Sequence, residues 1–255
     1  MRYEDVETAV RRQFLLDIGS EVDVDNNRRV IINKAGKALS EDRRIYREEG
    51  DFFRLIVYGS DAFILCNDLL YESVKDYFGA RSPEFMLSFH NLRWLDERLK
   101  EHGFMIDEVQ ECFLPSFVLF EPDEDEWEGE ESIVSLSGRE LSELVEKGDF
   151  PHALVSQDKE LTAWGFKPEG SRRIAAAVGA QHDGQYFWQV GIDVLSEYRG
   201  LGIASLLVHY IARTLIAEDK LPFYGVRPGN IISKKAAISA GFEPAFSEIY
   251  IRRIP

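Results

Sequence analysis

The chain has 255 residues, 45% of them hydrophobic, which suits one large domain or two small ones. Its net charge of −15 speaks against non-specific binding to nucleic acid or to an anionic membrane, both of which need a basic face. The same charge suits a cationic substrate such as an amine, and serves plain solubility as well.

Residues 3–17 carry apolar side chains at helical spacing, with Val6, Val10, Phe14 and Leu15 on one face. Arg29–Ile32, Phe52–Tyr58 and Ala62–Cys66 read as strands, Leu69–Phe78 and Leu87–Lys100 as helices, and Phe104–Phe113 as a further strand. This first half shows no His/Cys ligand cluster, nucleophile elbow or phosphate loop. Cys66 and Cys112 have no CxxC partner, which predicts two buried thiols in a reducing compartment. The opening Met-Arg-Tyr-Glu-Asp-Val-Glu lacks a basic-then-apolar signal region, and no apolar run approaches the ~20 residues a spanning helix needs. The expectation is a cytoplasmic protein with no membrane partner, no nucleic-acid partner and no metal.

The stretch Glu121–Glu131 (EPDEDEWEGEE) is dense in carboxylates that repel one another, and it reads as a linker between domains at 1–124 and 132–255. Beyond it, Ser132–Leu136 reads as a strand. Ser137 is a candidate N-cap for a helix through Lys147, with Glu140 in capping-box position. Arg173–Ala180 and Phe187–Val194 read as a hairpin around a His182-Asp183-Gly184 turn. A helix from about 201 to 217 carries the stripe Ile203, Leu206, Leu207, Tyr210, Ile211 and Leu215, which leaves His209 as a surface residue. Pro222 marks a break. Phe223–Val226, Ser233–Ala240 and Glu248–Ile251 then read as strand, helix and strand. The fold class is therefore α/β with a mixed sheet.

The most informative run is Ile-Asp-Val-Leu-Ser-Glu-Tyr-Arg-Gly-Leu-Gly-Ile-Ala, residues 192–204. A strand feeds a glycine turn headed by Arg199, and a helix begins at once. The first amides of a helix have no partner within it, and its positive dipole end favours a phosphate. Gly200 and Gly202 allow a sharp turn and a close backbone approach. This arrangement predicts a phosphate-bearing cofactor.

With Val226-Arg-Pro-Gly-Asn230-Ile-Ile-Ser233 and Ala240-Gly241-Phe242 downstream, the pattern resembles the GNAT superfamily of acetyl-CoA-dependent N-acetyltransferases. The resemblance is specific over residues 185–245 and extends over 132–255. Together with Trp188–Val194 and Pro222–Gly225 it looks like a two-part branch whose transferase half is C-terminal and whose best-known activity acetylates an amine-bearing antibiotic. It implies a C-terminal GNAT fold beside a smaller α/β domain that sets acceptor specificity. It implies acetyl-CoA as co-substrate, with the amides of Gly200, Leu201, Gly202, Ile203 and Ala204, beside Arg199, on the pyrophosphate. Ile192 and Val194 would hold the pantetheine arm through their backbones, and Asn230 the arm or its thioester end.

The chemistry implied is acetyl transfer to a primary amine, of a small molecule first and a polypeptide N-terminus second, by direct attack on the thioester. Family members often carry Glu or His near positions 188 and 190 and Tyr at 237; this chain has Trp188, Val190 and Ala237. Ser233 matches a serine that some relatives use as acid, and it equally suits a helix cap. Asp183 and Asp193 are candidate bases, and Glu248 and Tyr250 are candidates to face the acceptor. The different-class alternative is a CoA-binding or protein-interaction module without catalysis. Exposed strands in this fold also admit a homodimer.

Overall fold

The computed structural model describes residues 1–21, 29–35, 39–45, 51–122, 130–155 and 161–255. The centre of the acidic stretch, 123–129, lies outside the described residues. In the first half the helices are α1 (Tyr3–Asp17), α2 (Asp68–Phe78) and α3 (Phe89–Lys100). Its strands are β1 (Val30–Ala35), β2 (Phe53–Tyr58), β3 (Asp61–Asn67) and β4 (Phe104–Pro115). The second half holds β5 (Ile133–Leu136), α4 (Gly138–Lys147), β6 (Leu161–Phe166), β7 (Ala176–Asp183) and β8 (Phe187–Val194). It continues through α5 (Ile203–Ala217), β9 (Leu221–Val226), α6 (Ile231–Ser239) and β10 (Phe242–Arg253).

The strands form one mixed sheet in the order β1-β3-β2-β10-β4-β9-β8-β7-β6-β5. Pairs β1–β3 and β8–β9 are parallel and the rest antiparallel. The sheet crosses from one half of the chain to the other through an exchange. β4 lies between β9 and β10, and β10 lies between β2 and β4.

Alternation of side chains along each strand divides the core by face. One face carries Leu55, Ile64 and Ile249 under α2 and α3, and Trp188, Val190 and Tyr224 under α5 and α6. On the other, α1 packs Val10 and Phe14 onto Ile56, Phe63, Phe187, Phe223 and Phe246. Farther along that face, Phe150, Ala153 and Leu154 cover Ala163 and Ala177 beside α4.

The α1 stripe expected from sequence is buried, and α1 and β8 have the expected limits. Four readings need correction. β7 runs three residues past Ala180, so the turn falls at Gly184–Tyr186 rather than at His182–Gly184. Pro222 lies inside β9, opposite Trp188. Leu221 donates to Tyr186 across the β8 side, so the Pro222 nitrogen faces the other way, where β4 pairs only with Tyr224–Val226. Ser137 stands at the N-cap of α4 but makes no side-chain capping bond. His209 is 6% exposed, with Nδ1 3.2 Å from the Ala240 carbonyl oxygen, so it is a core histidine and not a surface one. No helix among the described residues is long and apolar enough to cross a membrane.

Candidate functional site

The parallel pairing of β8 with β9 stops at Gln189 and Phe223. β9 then turns to β4, pairing Tyr224–Val226 with Glu111–Phe113, while β8 stays with β7 through Val194. A cleft of about 440 Å³ opens between the parted strands. Tyr186 accepts from Leu221 of β9, and Leu195 donates to Ala175 at the end of β7. Successive peptide groups in a strand point to opposite sides, so the even-numbered residues of β8 face β9. Beyond the last pair, Ile192 and Val194 therefore turn N–H and C=O into the cleft, while their side chains pack on the α5 core.

The glycine turn follows directly. Gly200 and Gly202 have φ of 79° and 80°, the left-handed region where a Cβ is strained, and Gly202 is the N-cap of α5. Space around both is open out to 4 Å from where a Cβ would sit. The amides of Ile203 and Ala204 thus begin a 15-residue helix with its positive end exposed. Arg199 is exposed, and its Nε donates to the Val194 carbonyl at 3.1 Å, tying the turn to the strand end.

On the far wall stands the start of α6. Asn230 is the N-cap, its Oδ1 accepting from the Ser233 N–H at 3.2 Å. The capping role open to Ser233 in the sequence thus belongs to Asn230. The Ser233 side chain lines the cleft together with Tyr224 and acts to lower that phenol's pKa. Burial pushes the Tyr224 phenol up to about 12, so it keeps its proton at neutral pH. Tyr224 is a site residue that sequence reasoning missed; its signal was its place just past Phe223, where β9 leaves β8.

The other candidates are dispersed. Asp193 accepts from the backbone N–H groups of His152 (2.6 Å) and Ala153 (2.9 Å), holding the segment 149–155 across the sheet. That segment rests on Gly191 and Gly179, register partners on β8 and β7. Asp183 ends β7 and is 2% exposed, so it stands in the core and not at a solvent-facing turn. Glu248 is 1% exposed and pairs with the fully buried Arg44 at 3.2 Å. Arg44 also meets Asp17 at 2.6 Å and sits amid Phe14, Phe187, Phe223 and Phe246. Tyr250 donates to Glu248 at 2.7 Å. Neither Glu248 nor Tyr250 lines the cleft. Cys112 lies beside Glu248, and burial first, then that carboxylate, pushes its thiol well above the ordinary range.

The cleft has polar walls on the α1 side of the sheet: Glu108 and Gln110 from β4, Gln181 from β7 and Gln189 from β8. Ala237, the departure already visible in the sequence, is fully buried. Among the described residues no group of three or more His, Cys, Asp or Glu is placed to hold a metal.

No family model and no curated protein matches the chain. Among solved structures it is similar to a GNAT-family protein from Novosphingobium aromaticivorans, at 19% identity over 60% of this chain and 69% of that one, TM-score 0.46. It is similar to a GCN5-related N-acetyltransferase from Kribbella flavida, at 16% identity over 63% and 64%, TM-score 0.47. A third is a tandem GNAT protein from the clavulanic acid biosynthesis pathway, at 15% identity over 60% and 57%, TM-score 0.43. The chain thus spans between 57% and 69% of the length of these three. They are likenesses of outline, and at these scores they carry no argument about activity.

Proposed function

We propose that the chain is a GNAT-type N-acetyltransferase that moves acetyl from acetyl-CoA to a primary amine of a small molecule by direct attack on the thioester. One observation carries this reading: parallel strands that part after Gln189 and Phe223, beside a glycine turn that heads a helix.

An acyl-CoA suits these residues. The main-chain groups of Ile192 and Val194 match the peptide-like groups of a pantetheine arm, as an added strand would. The turn from Gly200 to Ala204 leaves room for a pyrophosphate against the amides of α5, with Arg199 alongside. Asn230 and Ser233 hold the inner end. Bound there, acetyl-CoA supplies the acetyl group as an activated thioester.

The chain's own residues have three tasks. A β8 main-chain N–H on the β9 side, at the inner end of the cleft, is the donor assigned to the acyl oxygen. The Tyr224 hydroxyl, which lines the cleft beside Ser233 and keeps its proton, is the proton donor for the departing sulfur. An alkyl ammonium titrates near ~10.4, so the acceptor must shed a proton before attack. With Trp188 and Val190 buried in the core, water in the polar cleft takes that proton. We further propose that residues 1–124 set acceptor specificity, and that the protein is cytoplasmic and pairs as a homodimer.

The apolar positions at Trp188, Val190 and Ala237 also favour a second reading, a CoA-binding module without transfer. Calorimetric titration with acetyl-CoA, followed by thiol release against a panel of amines, separates the two. Binding with release supports the transferase, binding without release supports the module, and no binding overturns both.

A further inference from the structure

We infer that Glu108 and Gln110, both on β4 of the first half, form the anchor for the ammonium group of the acceptor. The exchange of β4 into the second half's sheet brings these side chains to the cleft beside Gly225 and Gln189.

Among the described residues lining the cleft, Glu108 is the one carboxylate. The other acids nearby are engaged elsewhere: Asp193 on the 152–153 backbone, Glu248 on Arg44 and Glu111 on Lys234. Glu108 Oε1 accepts from Gln110 Nε2 at 3.0 Å and Oε2 from Arg227 Nε at 2.6 Å. An ionised carboxylate has about four acceptor sites, so each oxygen keeps capacity for a further donor. The Arg227 side chain is 75% exposed and that of Glu108 only 17%, so the arginine can withdraw to water while the carboxylate stays.

Gln110 supplies the second half of the anchor. With its amide nitrogen committed to Glu108, its Oε1 is buried and has no hydrogen-bond partner. That oxygen lies over Gly225, where a Cβ would come within 2.8 Å of it. A buried acceptor without a donor is unfavourable. A primary ammonium carries three donors and satisfies both Gln110 Oε1 and Glu108 Oε1. Once deprotonated, the amine keeps N–H donors for Gln110 and has its lone pair available. The identity of the ligand as an acetyl acceptor rests on the transferase reading; the anchor itself does not.

The test measures binding of glycinamide to the full chain by calorimetry and by NMR of the Gln110 side-chain amide. Acetamide, which lacks the amine, is the control. Glycinamide is expected to bind at millimolar concentration and acetamide not to compete. Glu108→Gln is expected to weaken glycinamide by about tenfold or more, the loss of one charge-assisted contact. Arg227→Ala alters an exposed residue and is expected to strengthen it by removing a competing cation. No glycinamide binding to the wild-type chain, or equal binding by Glu108→Gln, overturns the anchor. Thiol release separates the two ideas. Release whose amine KM is unchanged in Glu108→Gln refutes the anchor and keeps the transferase. Glycinamide binding through Glu108 without release for any amine keeps the anchor and refutes the transferase.

Discussion

Gly191→Ala puts a Cβ 1.9 Å from the His152 carbonyl oxygen and 2.8 Å from its carbon, both backbone atoms. The φ of Gly191 is not among the positive ones, so the cost comes from space and not from a forbidden backbone. The segment 149–155 has to lift, and it carries the two N–H groups bound to Asp193 and the buried side chains of Phe150, Ala153 and Leu154. Hydrogen bonds to a charged group are worth roughly 1.5–3 kcal/mol each, and overpacking costs roughly 1–3 kcal/mol. Allowing for partial relaxation, the expected loss is about 2–5 kcal/mol. Asp193→Asn, which keeps the shape but weakens both bonds, should lose about 1–2 kcal/mol. Because both changes release one segment, the double variant should lose clearly less than the sum. Urea unfolding of the three variants and the parent gives these numbers. A loss below about 0.5 kcal/mol for Gly191→Ala, or strict additivity, refutes the claim that the glycine exists to seat this segment.

Four other expectations concern the turn, the cleft and the buried network. Gly202→Ala meets open space but a φ of 80°, so it should cost only about 1–2 kcal/mol of stability, whereas Gly202→Val should reduce acetyl-CoA affinity at least about tenfold in calorimetry. Tyr224→Phe should slow thiol release by about tenfold or more while acetyl-CoA affinity stays within about twofold; an unchanged rate removes Tyr224 as proton donor. Arg44→Met leaves Glu248 without its cation and Asp17 with only Arg54, at 3.6 Å, and should cost about 3–5 kcal/mol in urea unfolding, and a loss under about 1 kcal/mol contradicts it. Burial raises Cys66 from 9.0, and Tyr58 and Tyr224 from 10.0, each to about 12. Below about pH 8 the folded and unfolded chains hold these protons equally. From about pH 8 to 12 the unfolded chain releases them first, Cys66 before the tyrosines, so stability should fall across that window. Unfolding midpoints that stay level there refute the assignment, and Cys66 should resist iodoacetamide at pH 8 until the chain unfolds.

Periodicity in the sequence was enough to place α1, β8 and most of α5, because amphipathic spacing depends on near neighbours alone. The glycine turn was equally readable, since positive φ leaves few alternatives to Gly200 and Gly202. β6 and the full reach of β10 were not. Leu-Thr-Ala-Trp-Gly-Phe has no clean alternation, and β10 reads as a strand only at Glu248–Ile251 because Glu243, Pro244 and Ser247 interrupt its apolar pattern. Asp193 and Glu248 are acids whose partners lie 41 and 204 residues away, so their roles were beyond any local reading. For the same reason nothing in 104–115 marked Glu108 and Gln110, since their site exists only after β4 crosses into the other half.

That crossing also bears on how the chain is made. When residue 122 has been synthesised, β4 has no strand partner at all, because both of its neighbours, β9 and β10, are still to come. β2 likewise waits for β10 on one side. At about 5–20 residues per second, the stretch from there through β10 takes on the order of ten seconds, during which unpaired strand edges stand open to neighbouring nascent chains. The dense carboxylates of 121–131 emerge in that same interval, and like charges in sequence next to β4 oppose association of one nascent chain with another. β10, which follows both β2 and β4 in the chain, is thus the strand that joins them in one sheet.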